Sequence, residues 1–207
     1  MTRSFSRFIA TSLVGAAAVL STSAAPAHDA DAHANHHQAR PETTRSIVDY
    51  AVPDVKLLRD DGKTVELSRE LDDGRPVVLN FIYTTCTSIC PLTSKTFADL
   101  QDKLGRARDA VHLVSISIDP EQDTPARLRA YAQRFDAGPA WQHYTGTPAA
   151  SLVAQRAFNA YRGVKMDHAP VTFVRVAAGD RWVRLDGFAT ADQLLGELRA
   201  VVAASSR

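Results

Sequence analysis

Cys86 and Cys90 are the only two thiols in the 207 residues of the chain, and three residues separate them. They follow the apolar run VVLNFIY at residues 77–83, which predicts a buried strand. A strand that turns into a helix leaves the first N–H groups of that helix unpaired at the positive end of its dipole, and this setting stabilises a thiolate. Both sulfurs then lie on one face of the first helical turn, and Pro91 suits that position because its missing N–H costs nothing there. Thiolates bind soft metals or exchange with disulfides, so the pair predicts one of these two chemistries.

The rest of the sequence predicts the elements that position this pair. A β-hairpin is expected around the Asp-Gly turn at residues 60–62, and a second hairpin around residues 178–180. Helical spacing and capping signals predict four helices between and after the strands, starting near Cys90, Pro125, Pro148 and Thr190. The run VHLVSISID at residues 111–119 predicts a buried parallel strand. The order favours an α/β protein with a thioredoxin-like fold, in which helices flank a central mixed sheet and an N-terminal β-hairpin is added.

The N-terminus predicts export. Arg3 and Arg7 precede an apolar stretch at residues 8–20, and the small residues that follow end in Ala-Pro-Ala at 25–27. This is the pattern of a signal peptide, so we expect residues 1–27 to be removed and the protein to act in the periplasm. If the signal is not cleaved, the protein is membrane-anchored. An exported compartment also permits a disulfide bond between the two cysteines.

Residues 28–45 form a separate segment with four of the seven histidines of the chain. It has almost no bulky apolar side chains, so we expect a disordered His-rich tail, which either binds metal or serves as a solvated linker. The domain is expected to span residues 46–207. Lys plus Arg number 24 and Asp plus Glu number 23, so positive and negative charges nearly cancel. The chain therefore has no strong positive electrostatic field that would favour nucleic acid as a partner.

The chain resembles the Sco/SenC family of copper-binding, thioredoxin-fold proteins that are associated with cytochrome c oxidase assembly. The resemblance is carried by FIYTTCTSICP at residues 81–91 and by SIDPEQDTP at residues 117–125. Trp141 with Thr-Gly at 145–146, and Asp-His at 167–168, complete the match. Together these motifs cover the chain from about residue 54 to its C-terminus.

The resemblance implies a copper chaperone that holds Cu(I) or Cu(II) on Cys86, Cys90 and His168 and delivers it to a cytochrome c oxidase subunit or to another copper protein. Two thiolates and one imidazole are a soft donor set that suits copper. A structural zinc site normally closes with four ligands, and the chain has no third cysteine. Two alternatives stay open: a periplasmic thiol-disulfide reductase that uses the same cysteine pair on a partner protein, and a metal-buffering protein that uses the His-rich tail.

Two residues near His168 depart from the family pattern. Met166 lies in a loop that is shorter than usual and is either a soft auxiliary ligand or simply a packing residue. Pro170 stands three residues before Phe173, where redox-active thioredoxin-fold proteins carry a cis-proline, and this favours disulfide exchange.

Other polar residues are expected outside the site. Asp119 and Asp123 are attributed to capping and loop structure. His112 and His143 lie within strand patterns and are predicted to be core or edge histidines.

Overall fold

Eight strands and five α-helices are found in residues 43–205, the part of the chain that the computed structural model describes. The strands are β1 (Thr44–Val48), β2 (Lys56–Arg59), β3 (Thr64–Glu66), β4 (Val77–Ile82), β5 (His112–Ser117), β6 (Trp141–Thr145), β7 (Val171–Arg175) and β8 (Trp182–Asp186). The helices are α1 (Leu67–Leu71), α2 (Ile89–Leu104), α3 (Pro125–Gln133), α4 (Pro148–Ala157) and α5 (Ala191–Ser205), and 3₁₀ turns cover Gly105–Ala110 and Lys165–Asp167. No helix in this part of the chain is long and apolar enough to cross a membrane.

All eight strands join one mixed sheet in the order β1-β8-β7-β4-β5-β6-β2-β3. Strands β4, β5 and β6 are parallel neighbours, whereas β7 runs antiparallel to β4. The carboxyl ends of β4 and β5 therefore lie at the same edge of the sheet as the start of β7. The loop that carries the cysteines, the loop that follows β5 and the segment that leads into β7 all begin or end at this edge.

The central strands are buried on both faces, which fits their continuous apolar sequence. Side chains alternate across a strand, so neighbours along β4 enter different cores. Leu79 and Phe81 pack with Phe158 and Trp182 in one cluster. Val78 packs with residues of α2 and α5 in the other. This two-sided packing makes the sheet a rigid base for the loops at its edge.

The mixed sheet, its flanking helices and the N-terminal hairpin of β2 and β3 confirm the predicted thioredoxin-like fold. The predicted helix starts are also found: Thr124 accepts the N–H of Arg127, and Thr147 accepts the N–H of Ala150. Thr190 and Gln193 form the reciprocal capping box expected at α5.

The structure also departs from the predictions. Strand β1 was not predicted; it pairs with β8 from Thr44 onward, so it includes the last two residues of the expected tail, 44 and 45. The sequence TRSIV has too little apolar character to predict this strand alone, and the partner strand supplies its hydrogen bonds. Helix α1 was not predicted either. Leu92 fits the helical pattern of α2, yet 58% of its surface is exposed.

Candidate metal centre and thiol site

The two cysteines lie where α2 begins. Ser88 occupies the N-cap position of α2 but its side chain makes no capping hydrogen bond. The sulfur of Cys86 takes that role and accepts the N–H of Cys90 at 3.3 Å. Both thiols are free. Cys90 is fully buried, and 7% of the surface of Cys86 is exposed to solvent. The predicted strand-turn-helix setting of the pair is thus found in the structure, in its reduced form.

The electrostatic surroundings of the two sulfurs differ strongly. Burial opposes ionisation of Cys86, but N–H groups of Cys90 and Ser88, helped by the Tyr83 hydroxyl, outweigh it and lower the pKa of Cys86 to about 7. Burial raises the pKa of Cys90, and the negative charge of Cys86 raises it further. At neutral pH Cys86 is therefore a partly ionised thiolate with a small exposed fraction, while Cys90 is a protonated and fully buried thiol.

A buried carboxylate holds the cysteine loop in place. Asp123 is fully buried and accepts the N–H of Thr84 at 3.2 Å, together with the hydroxyl of the same residue. It also accepts the hydroxyl of Ser117, at the end of β5, at 2.6 Å. The loop-structure role expected for Asp123 is found, but it acts across two strands, because it ties the cysteine loop to the neighbouring strand.

His168 lies just before β7 and is buried, with 6% of its surface exposed. Its Nε2–H donates to the carbonyl of Phe81 at 2.9 Å, so Nδ1 carries the lone pair of the neutral ring. Burial lowers the pKa of His168, and the positive charge of Arg162 lowers it further. The imidazole is therefore neutral and able to act as a ligand at neutral pH.

Tyr83 stands between the histidine and the cysteines. Its ring contacts that of His168 edge-on, with centroids 6.5 Å apart, and its hydroxyl interacts with the sulfur of Cys86. Burial and this thiol raise the pKa of Tyr83 to about 12. The residue follows β4 directly and is itself buried.

The three predicted ligands lie at this edge of the sheet but do not form one metal-binding centre. Among the described residues, no group of three or more His, Cys, Asp or Glu side chains is arranged to hold a metal ion. Cys86 and Cys90 are in contact, and His168 lies across Tyr83 from them. Binding of one ion by all three residues requires the imidazole to approach the sulfurs.

The loop before His168 brings further side chains to the site. Lys165 forms an ion pair with Asp119 at 2.6 Å, and its ammonium lies 5.8 Å from the centre of the Tyr83 ring. The sulfur of Met166 lies 3.8 Å from the hydroxyl of Tyr83. Met166 is 75% exposed, so burial contributes little to the position of its side chain.

The remaining histidines of the described chain lie away from this edge. His112 and His143 are both buried, at 1% and 0% exposure, as predicted for core positions. Burial lowers the pKa of His143 to about 3. The predicted signal peptide at residues 1–27, and the predicted His-rich tail up to residue 42, lie outside the described residues.

Sequence reasoning did not identify Tyr83 or the long-range role of Asp123. Tyr83 lies within the motif at residues 81–91, but nothing in its type or spacing distinguishes it from a core aromatic residue. A weak signal for Asp123 was its position directly after the buried strand next to the cysteine loop.

A thioredoxin-like sheet that presents a free cysteine pair at a helix start, opposite a neutral histidine, defines a thiol-based metal or redox protein. The SCO1/SenC family model matches residues 49–203, and the chain belongs to this family.

Individual relatives agree with this assignment. The SCO1 protein homolog of Bacillus subtilis is 35% identical over 88 residues, which are 42% of this chain and 45% of that protein. The aligned region thus spans less than half the length of this curated relative. Arabidopsis thaliana ScoI with copper bound has a similar structure, with a TM-score of 0.63, 27% identity and coverage of 74% of this chain and 99% of the other. Bradyrhizobium japonicum ScoI with copper bound matches with a TM-score of 0.60, 25% identity and coverage of 70% and 96%.

Proposed function

We propose that this protein is a periplasmic copper chaperone that binds copper on Cys86, Cys90 and His168 and hands it to another protein. The observation that carries the proposal is the cysteine pair at the start of α2, where the N–H of Cys90 donates to the sulfur of Cys86 at 3.3 Å. This contact helps to lower the pKa of Cys86 to about 7, so no strong base is needed to prepare the thiol for a metal. Two sulfurs and a neutral imidazole nitrogen match the preference of Cu(I) for soft, low-coordinate sites. The copper-bound ScoI structures of Arabidopsis thaliana and Bradyrhizobium japonicum support copper as the metal.

Copper is cargo in this proposal. The cysteines are held by α2 and Asp123, whereas His168 reaches the site from a separate segment. Transfer proceeds through intermediates in which donor and acceptor ligands share the ion, and the imidazole leaves first. The family resemblance favours a copper-site subunit of cytochrome c oxidase as the acceptor. The N-terminal signal pattern at residues 1–27 supports the periplasm as the compartment.

Copper binding is tested with the reduced full-length chain in anaerobic competition against a chromophoric Cu(I) chelator, followed by X-ray absorption. We expect His168→Ala to weaken Cu(I) binding at least ~10 to 100-fold, since loss of a direct ligand should cost no less than loss of its hydrogen-bonded support. Cys86→Ser should abolish thiolate coordination. Asp167→Ala, a change at the exposed neighbour of His168, is the matched control and should bind like wild type. If His168→Ala keeps full affinity and still has a nitrogen ligand, the three-residue site is incorrect.

A second candidate function is thiol-disulfide reduction, favoured by the contrast between the two cysteines. The Cys86 thiolate would attack a partner disulfide and release one partner thiolate, forming a mixed disulfide. Cys90 would then attack the sulfur of Cys86, giving an intramolecular disulfide and a fully reduced partner. Two electrons and the proton of Cys90 pass to the partner, and the second proton comes from the solvent that accepted it when Cys86 ionised. This chemistry does not need His168 as a ligand, so His168→Ala should reduce a model disulfide almost as fast as wild type while its copper affinity falls.

A further inference from the structure

The thioether of Met166 stands at the outer side of the cysteine site. It is the only methionine in the chain besides Met1. With 75% of its surface exposed, it contributes little to packing, and an unbranched apolar side chain gains nothing from that exposure. Its sulfur nevertheless has a defined neighbour, the hydroxyl of Tyr83, at 3.8 Å.

Tyr83 connects this thioether to the cysteine pair. Its hydroxyl donates to the sulfur of Met166, and its side chain packs in one buried cluster with Cys86 and Cys90. The thioether and the cysteine sulfurs are therefore neighbours of the same tyrosine. One ion can bind both Met166 and Cys86 only if the hydroxyl of Tyr83 leaves the space beside the thioether.

The segment that carries Met166 is anchored on both sides. The residue before it, Lys165, is paired with Asp119 at 2.6 Å. Two residues after it, His168 is tied to the carbonyl of Phe81 at 2.9 Å. The 3₁₀ turn at Lys165–Asp167 places the exposed thioether between these two anchors. Met166 is thus presented at the site by its neighbours and not by burial of its own side chain.

We propose that Met166 is a further Cu(I) ligand, which binds the ion together with Cys86 on the solvent side of the site. The inference rests on the proposed copper function and adds a fourth donor to it. A neutral thioether favours Cu(I) over Cu(II) and competes with no proton. In the transfer step the bond from copper to the imidazole breaks as the bond to the thioether forms, and no electron or proton changes hands. The ion then lies on the exposed sulfur, where an acceptor protein can reach it.

The direct test is selenium X-ray absorption on full-length protein labelled with selenomethionine. Cleavage after residue 27 would remove Met1, so the label is measured on the uncleaved chain, in which Met166→Leu retains the selenium of Met1 and is the matched control. We expect a copper neighbour around selenium in the Cu(I)-loaded wild type, and none in Met166→Leu. Cu(I) affinity should fall several-fold in Met166→Leu while Cu(II) affinity stays the same. Val164→Ala, at another exposed apolar position of the same loop, should match wild type in both.

The outcomes separate this inference from the proposed function. If copper is bound through sulfur, yet selenium has no copper neighbour and Met166→Leu retains wild-type Cu(I) affinity, Met166 is not a ligand and only this inference is refuted. If the wild-type protein binds no copper through its cysteines, the proposed function itself is refuted. A copper neighbour that persists in Met166→Leu would come from Met1 and would also overturn the assignment.

Discussion

The ionisation of Cys86 depends on four donors, which are the N–H groups of Cys90 and Ser88, the thiol of Cys90 and the hydroxyl of Tyr83, and removal of one of them should be measurable. In the reduced, metal-free protein the pKa of Cys86 is about 7. At pH 7 about half of this thiol is thiolate, compared with ~3% for an ordinary cysteine whose pKa is ~8.5. Tyr83→Phe removes the hydroxyl that interacts with the sulfur and keeps the buried ring. The N–H groups of Cys90 and Ser88 remain.

A well-formed hydrogen bond to a charged group is worth ~1.5 kcal/mol or more, and ~1.4 kcal/mol corresponds to one pKa unit. The Tyr83 hydroxyl is the weakest of the donors to Cys86, so about one pKa unit is the upper bound of its effect, and the pKa of Cys86 should rise from about 7 toward 8 in Tyr83→Phe. The assay is the rate of alkylation by iodoacetamide between pH 5.5 and 10, on the order of ten points, with mass spectrometry to assign the modified residue. Reactivity should rise as pH increases through the pKa, with the midpoint higher in the variant by up to about one unit.

The midpoint is the decisive quantity, because a thiolate of higher pKa is also intrinsically ~3-fold more nucleophilic and so masks part of the rate loss at pH 7. Modification should occur at Cys86 and not at the fully buried Cys90. Tyr161→Phe, which removes a hydroxyl from an exposed tyrosine, is the control and should keep the wild-type midpoint. An unchanged midpoint in Tyr83→Phe would refute the role of the hydroxyl, and a wild-type midpoint near 8.5 would refute the stabilised thiolate.

Three further predictions concern the loop, the thiol and the tail. Asp123→Asn should destabilise the fold by ~2 kcal/mol or more in urea unfolding, because an amide NH₂ would face buried donors; Asp167→Asn, at an exposed site, should change little. The pKa of Cys86 is lower in the folded than in the unfolded protein, so its ionisation stabilises the metal-free fold fully above about pH 8.5, and this contribution is lost as pH falls through about 7. Cys86→Ser should remove this pH dependence of the free energy of unfolding. An identical pH profile in the variant would refute the prediction. Deletion of residues 28–42 should lower the copper stoichiometry at saturation but leave the thiolate-to-copper absorption intact, whereas unchanged stoichiometry would make the tail only a linker.

The sequence contained most of the information that fixes the cysteine pair, because that geometry is local. The run at residues 77–83 predicted the strand, and four-residue spacing predicted both sulfurs at one helix start. The structure adds that Cys86 replaces the N-cap side chain, since Ser88 makes no capping bond. That detail depends on the turn between residues 83 and 88, whose conformation is set by tertiary contacts.

Tertiary contacts also explain what could not be predicted. The function of Asp123 depends on β5 lying beside β4, so that a residue after one strand reaches the loop after the other. The exposure of Leu92 depends on where the neighbours of α2 end, which helical periodicity cannot give. The edge strand β1 depends on pairing with β8 and has little propensity of its own.

The division of the site between rigid and less anchored segments bears on how a chaperone gives up its metal. Cys90 is enclosed in the core at the start of α2, and the loop that carries Cys86 is fixed to β5 through Asp123. These two donors cannot follow a departing ion. His168 and Met166 lie on a segment that ion pairing and one ring hydrogen bond attach to the sheet, and Met166 is exposed to solvent. His168 is as buried as Cys86, so of the four proposed donors only Met166 has a side chain that is free to follow the ion, and the order of release would be set by burial as well as by ligand strength.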